Sequence, residues 1–159
     1  DVLILGKALS GGMYPVSAVL ANNEIMNVIK PGQHGSTYGG NPLACAVAIA
    51  ALDVVLDDDL ANKAEIIGQQ FRAGVQKIME KTDLIKNVRG KGLLNAIIIN
   101  DTPESSTAWN LCLNLKENGL LAKPTHGNII RLAPPLVITE DQVQECLAII
   151  EKTFLEYQA

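Results

Sequence analysis

Asp1-Val2-Leu3-Ile4-Leu5-Gly6-Lys7-Ala8-Leu9-Ser10-Gly11-Gly12 is the stretch whose reading decides the fold. Its aliphatic run shows no polar alternation, so it predicts a strand buried on both faces, the pattern of a strand with parallel neighbours. No such neighbour follows nearby in sequence, and the chain starts without a polar lead-in. It is therefore expected to be the C-terminal part of a longer protein, cut inside a parallel sheet. Residues 8–12 read as a loop, because adjacent glycines lower the steric cost of a sharp turn. Lys7 then lies just past a strand end, where open α/β sheets gather their ligand chemistry. A lysine so placed can form a Schiff base once desolvation frees its amine, although a solvated surface charge fits the same position.

Outward from this stretch, residues 15–20 predict a second strand, and Asn22 or Asn23 can cap a short helix reaching Ile29 before Pro31-Gly32 stops it. Gly35-Ser36-Thr37-Tyr38-Gly39-Gly40-Asn41-Pro42 follows and opens a long apolar helix over residues 43–56. Glycine amides, hydroxyl donors and a helix N-terminus together suit a phosphate. The stretch lacks both the GxxxxGK[ST] and the GxGxxG patterns, and an ordinary loop accounts for it equally. The helix has almost no polar face, which predicts burial between two layers.

Asp57-Asp58-Asp59 changes the composition and marks a boundary. Beyond it, Leu60, Ala64, Ile67, Phe71, Val75 and Ile78 form one stripe of an amphipathic helix. Strands are expected at residues 85–89, 93–99, 120–123 and 129–132, with a helix over residues 107–118 ended by Gly119 in the C′ role. Thr139 and Gln142 form a capping box for a last helix carrying Val143, Cys146, Leu147, Ile150 and Phe154 on one face. The second half thus reads as a small α+β layer, with helices on one side of a largely antiparallel sheet. Arg131 ends an apolar strand ahead of Ala133-Pro134-Pro135, well placed to hold a carboxylate by two parallel hydrogen bonds. A structural ion pair is the plainer alternative.

Composition narrows the remaining classes. With 48% hydrophobic and 19% charged residues in 159, the chain can bury a core, and disorder is excluded. A net charge of −4 gives no general reason to bind nucleic acid or an anionic membrane. The longest uncharged stretches, such as residues 32–52, are broken by Gly, Ser, Asn and Pro, so no membrane span is expected and the protein reads as soluble. Cys45, Cys112 and Cys146 form no metal-ligand spacing; they read as reduced core thiols in a reducing compartment, and no metal is expected. His34 and His126 read as exposed or structural, Trp109 as core or interface packing, and Cys45 as inert on its apolar helix.

In combination the motifs resemble a known family. The Asp1–Gly12 stretch resembles the lysine segment of the class III aminotransferases, which are fold type I pyridoxal phosphate enzymes. Gly35–Pro42 is similar to their phosphate loop, and Val88-Arg89-Gly90-Lys91-Gly92-Leu93-Leu94 to the strand that opens their small domain. Gly119-Leu120-Leu121-Ala122-Lys123-Pro124-Thr125-His126-Gly127 through Leu136 resembles the ornithine-directed branch of that family. The resemblance implies an α/β fold, the C-terminal part of the fold type I transferase fold. Residues 1–56 would belong to the large parallel-sheet cofactor domain with its connecting helix, and residues 57–159 to the small C-terminal α+β domain.

The resemblance also implies roles. Lys7 would carry pyridoxal 5'-phosphate as a Schiff base and move the proton between substrate Cα and cofactor C4′. Thr37, assisted by Ser36, would bind the cofactor phosphate, with Thr37 reaching the neighbouring subunit of a homodimer. Arg131 would hold the α-carboxylate of 2-oxoglutarate or glutamate, and of ornithine. The implied reaction moves the δ-amino group of ornithine to 2-oxoglutarate. The family's acidic partner for the pyridinium nitrogen, its stacking aromatic and its ornithine side-chain pocket belong ahead of the lysine, so the chain by itself is expected to be a weak transaminase or inactive. A relative acting on acetylornithine or 4-aminobutyrate, and a non-catalytic interaction fragment, remain as alternatives. Cytoplasm and mitochondrial matrix are both open as compartments.

Overall fold

Residues 1–157 are described by a computed structural model in which two compact units divide at Asp59 and Leu60. In the first unit, β1 (Val2–Leu5) pairs antiparallel with β2 (Ala18–Ala21), Val2 opposite Ala21 and Leu5 opposite Ala18. The expected parallel neighbours were placed elsewhere in a longer protein, and the pairing found here gives the strand one antiparallel neighbour. No parallel partner lies among the described residues, and Val2, Leu3 and Ile4 stay exposed, Ile4 at 75%. An apolar run specifies what a strand prefers to touch; it does not supply the partner.

The β1–β2 connection is a chain of tight turns, with the amides of Leu9, Gly11 and Met13 donating to the carbonyls of Gly6, Ala8 and Ser10. Ser10 is buried, and its hydroxyl closes the loop by accepting from the Tyr14 amide at 3.1 Å and donating to the Tyr14 carbonyl. Strand β2 starts three residues later than predicted, because Pro15 carries no amide hydrogen and the ladder begins only where Ala18 meets Leu5. Helix α1 (Asn23–Met26) is capped by Asn22, whose Oδ1 accepts from the Ile25 amide at 3.1 Å. It stops short of Ile29, since the amides of Val28 and Ile29 turn to the tighter carbonyls three residues back.

Helix α2 (Pro42–Asp57) has Asn41 as N-cap and Pro42 in the first turn. Among the described residues it is covered in part: Ala44 and Ala48 are buried, and Leu43, Ile49, Leu52, Val54 and Leu56 are exposed.

The second unit matches the α+β expectation closely. Helix α3 (Leu60–Met79) buries the whole predicted stripe together with Gly68. Strands β3 (Ile85–Lys91), β4 (Leu94–Ile99), β5 (Lys123–Thr125) and β6 (Ile129–Leu132) form an antiparallel sheet in the order β3-β4-β6-β5. Helices α3 and α4 (Thr107–Glu117) pack on the sheet, and α5 (Glu140–Glu156) packs on both. Ile97, Ile99, Ile130 and Leu132 point into the core with Phe71, Val75, Leu111, Leu115, Ile150 and Phe154, while their strand neighbours alternate outward. The strand predicted at residues 120–123 is displaced to Lys123–Thr125. Helix α4 ends in a Schellman motif, with Gly119 (φ 94°) donating to Lys116 and Leu120 to Leu115, so residues 119–120 serve the helix end instead. Pro124 is tolerated because β5 is an edge strand. No helix among the described residues is long and apolar enough to cross a membrane.

One contact seats α3 on the sheet. A Cβ on Gly68 would lie 1.8 Å from the Gly92 carbonyl oxygen, so only glycine lets the helix meet the β3–β4 turn. Around it, Arg72 Nη1 donates to the Gly92 carbonyl at 2.9 Å and to the buried Asn95 Oδ1 at 2.8 Å. Glu65 Oε2 accepts from the Gly92 amide at 3.2 Å and pairs with Lys91 at 2.9 Å.

Alanine at residue 68 gains about 1 kcal/mol of helix propensity but must displace a hydrogen-bonded backbone carbonyl, an overpacking cost of up to about 3 kcal/mol. Gly68→Ala is therefore expected to destabilise the second unit by about 2 kcal/mol, read from urea unfolding of Trp109 fluorescence. The Lys91 ammonium and then the Gln69 amide hold the Glu65 carboxyl at about 2, below its ordinary 4.5. A pKa depressed on folding gives stability that is complete above 4.5 and lost as pH falls toward 2. The stability gap between wild type and Glu65→Gln is accordingly expected to be constant near neutrality and to close across that acid range, measured by denaturation at a series of pH values.

Candidate active site

The predicted site residues lie in both units, Lys7, Ser36 and Thr37 in the first and Arg131 in the second. Lys7 follows β1 and Gly6 with φ 55°, in the left-handed region that a residue with a Cβ enters at a cost of about 1 kcal/mol. That conformation turns the chain away from the strand axis at the lysine. Its side chain is exposed, and no carboxylate among the described residues lies within ion-pair range of it.

The loop before α2 is held by its own side chains. Ser36 Oγ accepts from the Gly39 amide at 2.9 Å, and a Cβ on Gly39 would stand 2.9 Å from Ser36 Cβ. Asn41 donates through Nδ2 to the Tyr38 carbonyl at 2.9 Å and accepts at Oδ1 from the Ala44 amide at 2.9 Å. The Cys45 amide bonds to the Asn41 carbonyl, and Pro42 has no amide hydrogen. The amides of Gly39, Asn41, Ala44 and Cys45 are thus satisfied within the loop and helix start, and Ser36 and Thr37 add hydroxyl groups beside them. Thr37 is exposed and takes no part in the hydrogen bonds of the described residues.

Arg131 stands on β6 between buried Ile130 and Leu132, so alternation carries its side chain to the face the helices leave open. It pairs across the sheet with Ala96 on one side and Lys123 on the other. No ion pair to Arg131 occurs among the described residues. Lys123 was not singled out beside it by the sequence reading, because only the register reveals that it shares a row with Arg131.

Other expectations resolve variously. His34 and His126 are exposed, His126 with φ 49° in the β5–β6 turn. Trp109 is 57% exposed on α4, so the core-packing reading is corrected. The core-thiol reading holds for Cys112, whose thiol burial pushes up to about 11. Cys146 is half-buried with its thiol raised by burial and by Glu145, whereas Cys45 is exposed because the face of α2 that carries it is uncovered.

Lys7 is thus a primary amine past a strand end, Ser36 and Thr37 are hydroxyl donors on a loop closed by its own hydrogen bonds, and Arg131 is a guanidinium on a sheet face. Residues 1–154 match the model of the family described as aminotransferase class-III, and the chain belongs to that family. Rat mitochondrial ornithine aminotransferase is 58% identical over 157 residues, which is 99% of this chain and 35% of the rat protein. The Drosophila melanogaster mitochondrial ornithine aminotransferase is 61% identical over 155 residues, 98% of this chain and 35% of the fly protein. Among solved structures, acetylornithine aminotransferase from Elizabethkingia anophelis is 78% identical with a TM-score of 0.95, covering 99% of this chain and 39% of that one. Ornithine aminotransferase from Toxoplasma gondii is 48% identical with a TM-score of 0.90, over 98% of this chain and 37% of that one. The fold is thus the α/β fold of the pyridoxal phosphate aminotransferases, over about a third of the length of the curated relatives.

Proposed function

We propose that the chain serves a pyridoxal 5'-phosphate-dependent aminotransferase that moves the δ-amino group of ornithine to 2-oxoglutarate, giving glutamate semialdehyde and glutamate. The carrying observation is the 58% and 61% identity with ornithine aminotransferases along almost the whole chain. The residues fit the cofactor chemically. Lys7 offers an amine without a carboxylate partner, Ser36 and Thr37 offer hydroxyl donors, and residues 34–41 hold no carboxylate to repel a phosphate.

When bound, pyridoxal phosphate supplies the electron sink for carbon–hydrogen cleavage beside the substrate nitrogen. In this reading Lys7 would hold the cofactor, and its Nζ would take the proton from the amine-bearing carbon of the substrate. Thr37 and Ser36 donate to the phosphate, Thr37 across the interface of a homodimer. Arg131 orients the amino and oxo acids by their carboxylates. Residues 1–56 belong in this reading to the large cofactor domain and residues 57–159 to the small one. The compartment is the cytoplasm or the mitochondrial matrix, the latter supported by the names of the rat and fly relatives.

Acetylornithine is a second reading of the donor, because a structure 78% identical bears that name. Ornithine, N-acetylornithine and 4-aminobutyrate offered in turn to the full-length protein with 2-oxoglutarate separate them. Ornithine is expected to give the highest kcat/KM; a clear preference for N-acetylornithine replaces the first reading with the second. For the cofactor, the chain is incubated with pyridoxal phosphate, reduced with borohydride and mapped by peptide. The label is expected on Lys7 and is lost in Lys7→Ala, whereas label spread over other lysines refutes the assignment.

A further inference from the structure

Lys7 and Ala8 are the central pair of a turn closed by the Leu9 amide, which donates to the Gly6 carbonyl at 3.2 Å. Only the first of the pair has a positive φ, 55°, a position of type II′ turns that glycine normally takes. A residue with a Cβ prefers the right-handed region over this one roughly five- to thirtyfold. Such a conformation persists only where the surroundings over-determine it. Three residues on, Ser10 is 1% exposed. Among the described residues of the first unit, only Ser10, Ala44 and Ala48 are buried. The Ser10 hydroxyl accepts from the Tyr14 amide at 3.1 Å and donates to the Tyr14 carbonyl, so it is satisfied in both senses by one residue beyond the turns. The turns themselves overlap from Gly6 to Met13, each closed by an amide three residues on from its carbonyl. The chain next to Ser10 rests on α2: a Cβ on Gly11 would stand in ordinary contact with Ala51 Cβ, at 3.6 Å. Helix α2 also carries the loop of residues 36–41 at its N-terminus.

We infer that Ser10 is a positioning residue for the Lys7 amine: its buried hydroxyl clasps the chain of turns and holds Lys7 in its left-handed conformation, and with it the direction in which Nζ is presented. This rests on the reading of Lys7 as the cofactor-bearing lysine. Ser10 acts on the backbone and through Lys7. Its two bonds to Tyr14 close the far end of the turns, and the contact of Gly11 with Ala51 seats them on the helix that also presents Ser36 and Thr37. Without the clasp the far end of the turns is released, and Lys7 relaxes toward the right-handed region by the factor above. Only the left-handed fraction presents the amine correctly, so the rate of any step that Nζ performs falls with that fraction.

The test follows covalent capture in the full-length protein. Apoprotein is mixed with saturating pyridoxal phosphate, quenched with borohydride at a series of times and mapped by peptide. Capture condenses the Lys7 amine with the aldehyde and releases water; borohydride then adds hydride to the carbon of the new C=N bond, and the nitrogen takes a proton from solvent. The rate constant at Lys7 reports how the amine is presented, and the final label reports how much of the protein is folded and competent. Ser10→Ala is expected to lower the rate constant roughly tenfold, within the range set by the backbone preference, at an unchanged final label. Ser10→Cys, with a weak donor and acceptor of similar size, is expected to fall between wild type and Ser10→Ala. In turnover, Ser10→Ala is expected to lower kcat with KM changed less than about twofold. A residue that only stabilises the fold lowers the final label and leaves the rate constant of the folded fraction alone. A rate constant for Ser10→Ala within about threefold of wild type, whatever the final label, therefore overturns the inference and leaves the Lys7 reading standing. Where Ser10→Ala fails to fold, Ser10→Cys decides: a slowed rate constant carries the inference and a wild-type one overturns it. Absence of label at Lys7 in the wild-type protein overturns both.

Discussion

The contact between α3 and the β3–β4 turn governs the second unit. Helix and strand backbones meet at Gly68 and Gly92 with no room for a methyl group, and Glu65 and Arg72, on the flanking turns of the helix, take up the amide and carbonyl that the turn exposes. This fixes which face of the sheet the helices cover. Once Ile97, Ile130 and Leu132 are committed inward, Ala96 and Arg131 have only the open face left. The face on which Arg131 stands is thus set by packing on the opposite side of the sheet.

The first unit is held by different means. Its turns are closed by side-chain and backbone hydrogen bonds, notably at Ser10 and Asn41, while its apolar residues stay largely uncovered. Hydrogen bonds over a few residues are local and need no partner beyond the loop. Burial of an apolar strand is a long-range requirement, and β1 meets it only through β2. Consequently the loops that carry Lys7 and Thr37 are shaped by turns that the unit itself closes.

Much of this was legible beforehand. Capping at Asn22 and Thr139, the stop at Gly119 and the stripes of α3 and α5 depend on residues within a few positions of one another, and each was found where expected. What was not legible shares a cause. The displaced β5 competes with the end of α4 for the same residues, and the exposure of α2 and the antiparallel partner of β1 depend on residues distant in sequence. Arg131 could be recognised by its strand-end position, but Lys123 could not, since its relation to Arg131 exists only through pairing across the sheet.

By itself, the sequence determined the identity of the reactive groups and the local conformations that present them: an amine after an apolar strand, hydroxyls on a glycine loop, a guanidinium flanked by core residues. These follow from side-chain chemistry and short-range periodicity. Only the tertiary structure decided which faces are covered, and that Lys123 lies opposite Arg131. Strand register and layer packing arise from contacts between residues far apart in the chain, and no pattern within a single segment encodes them.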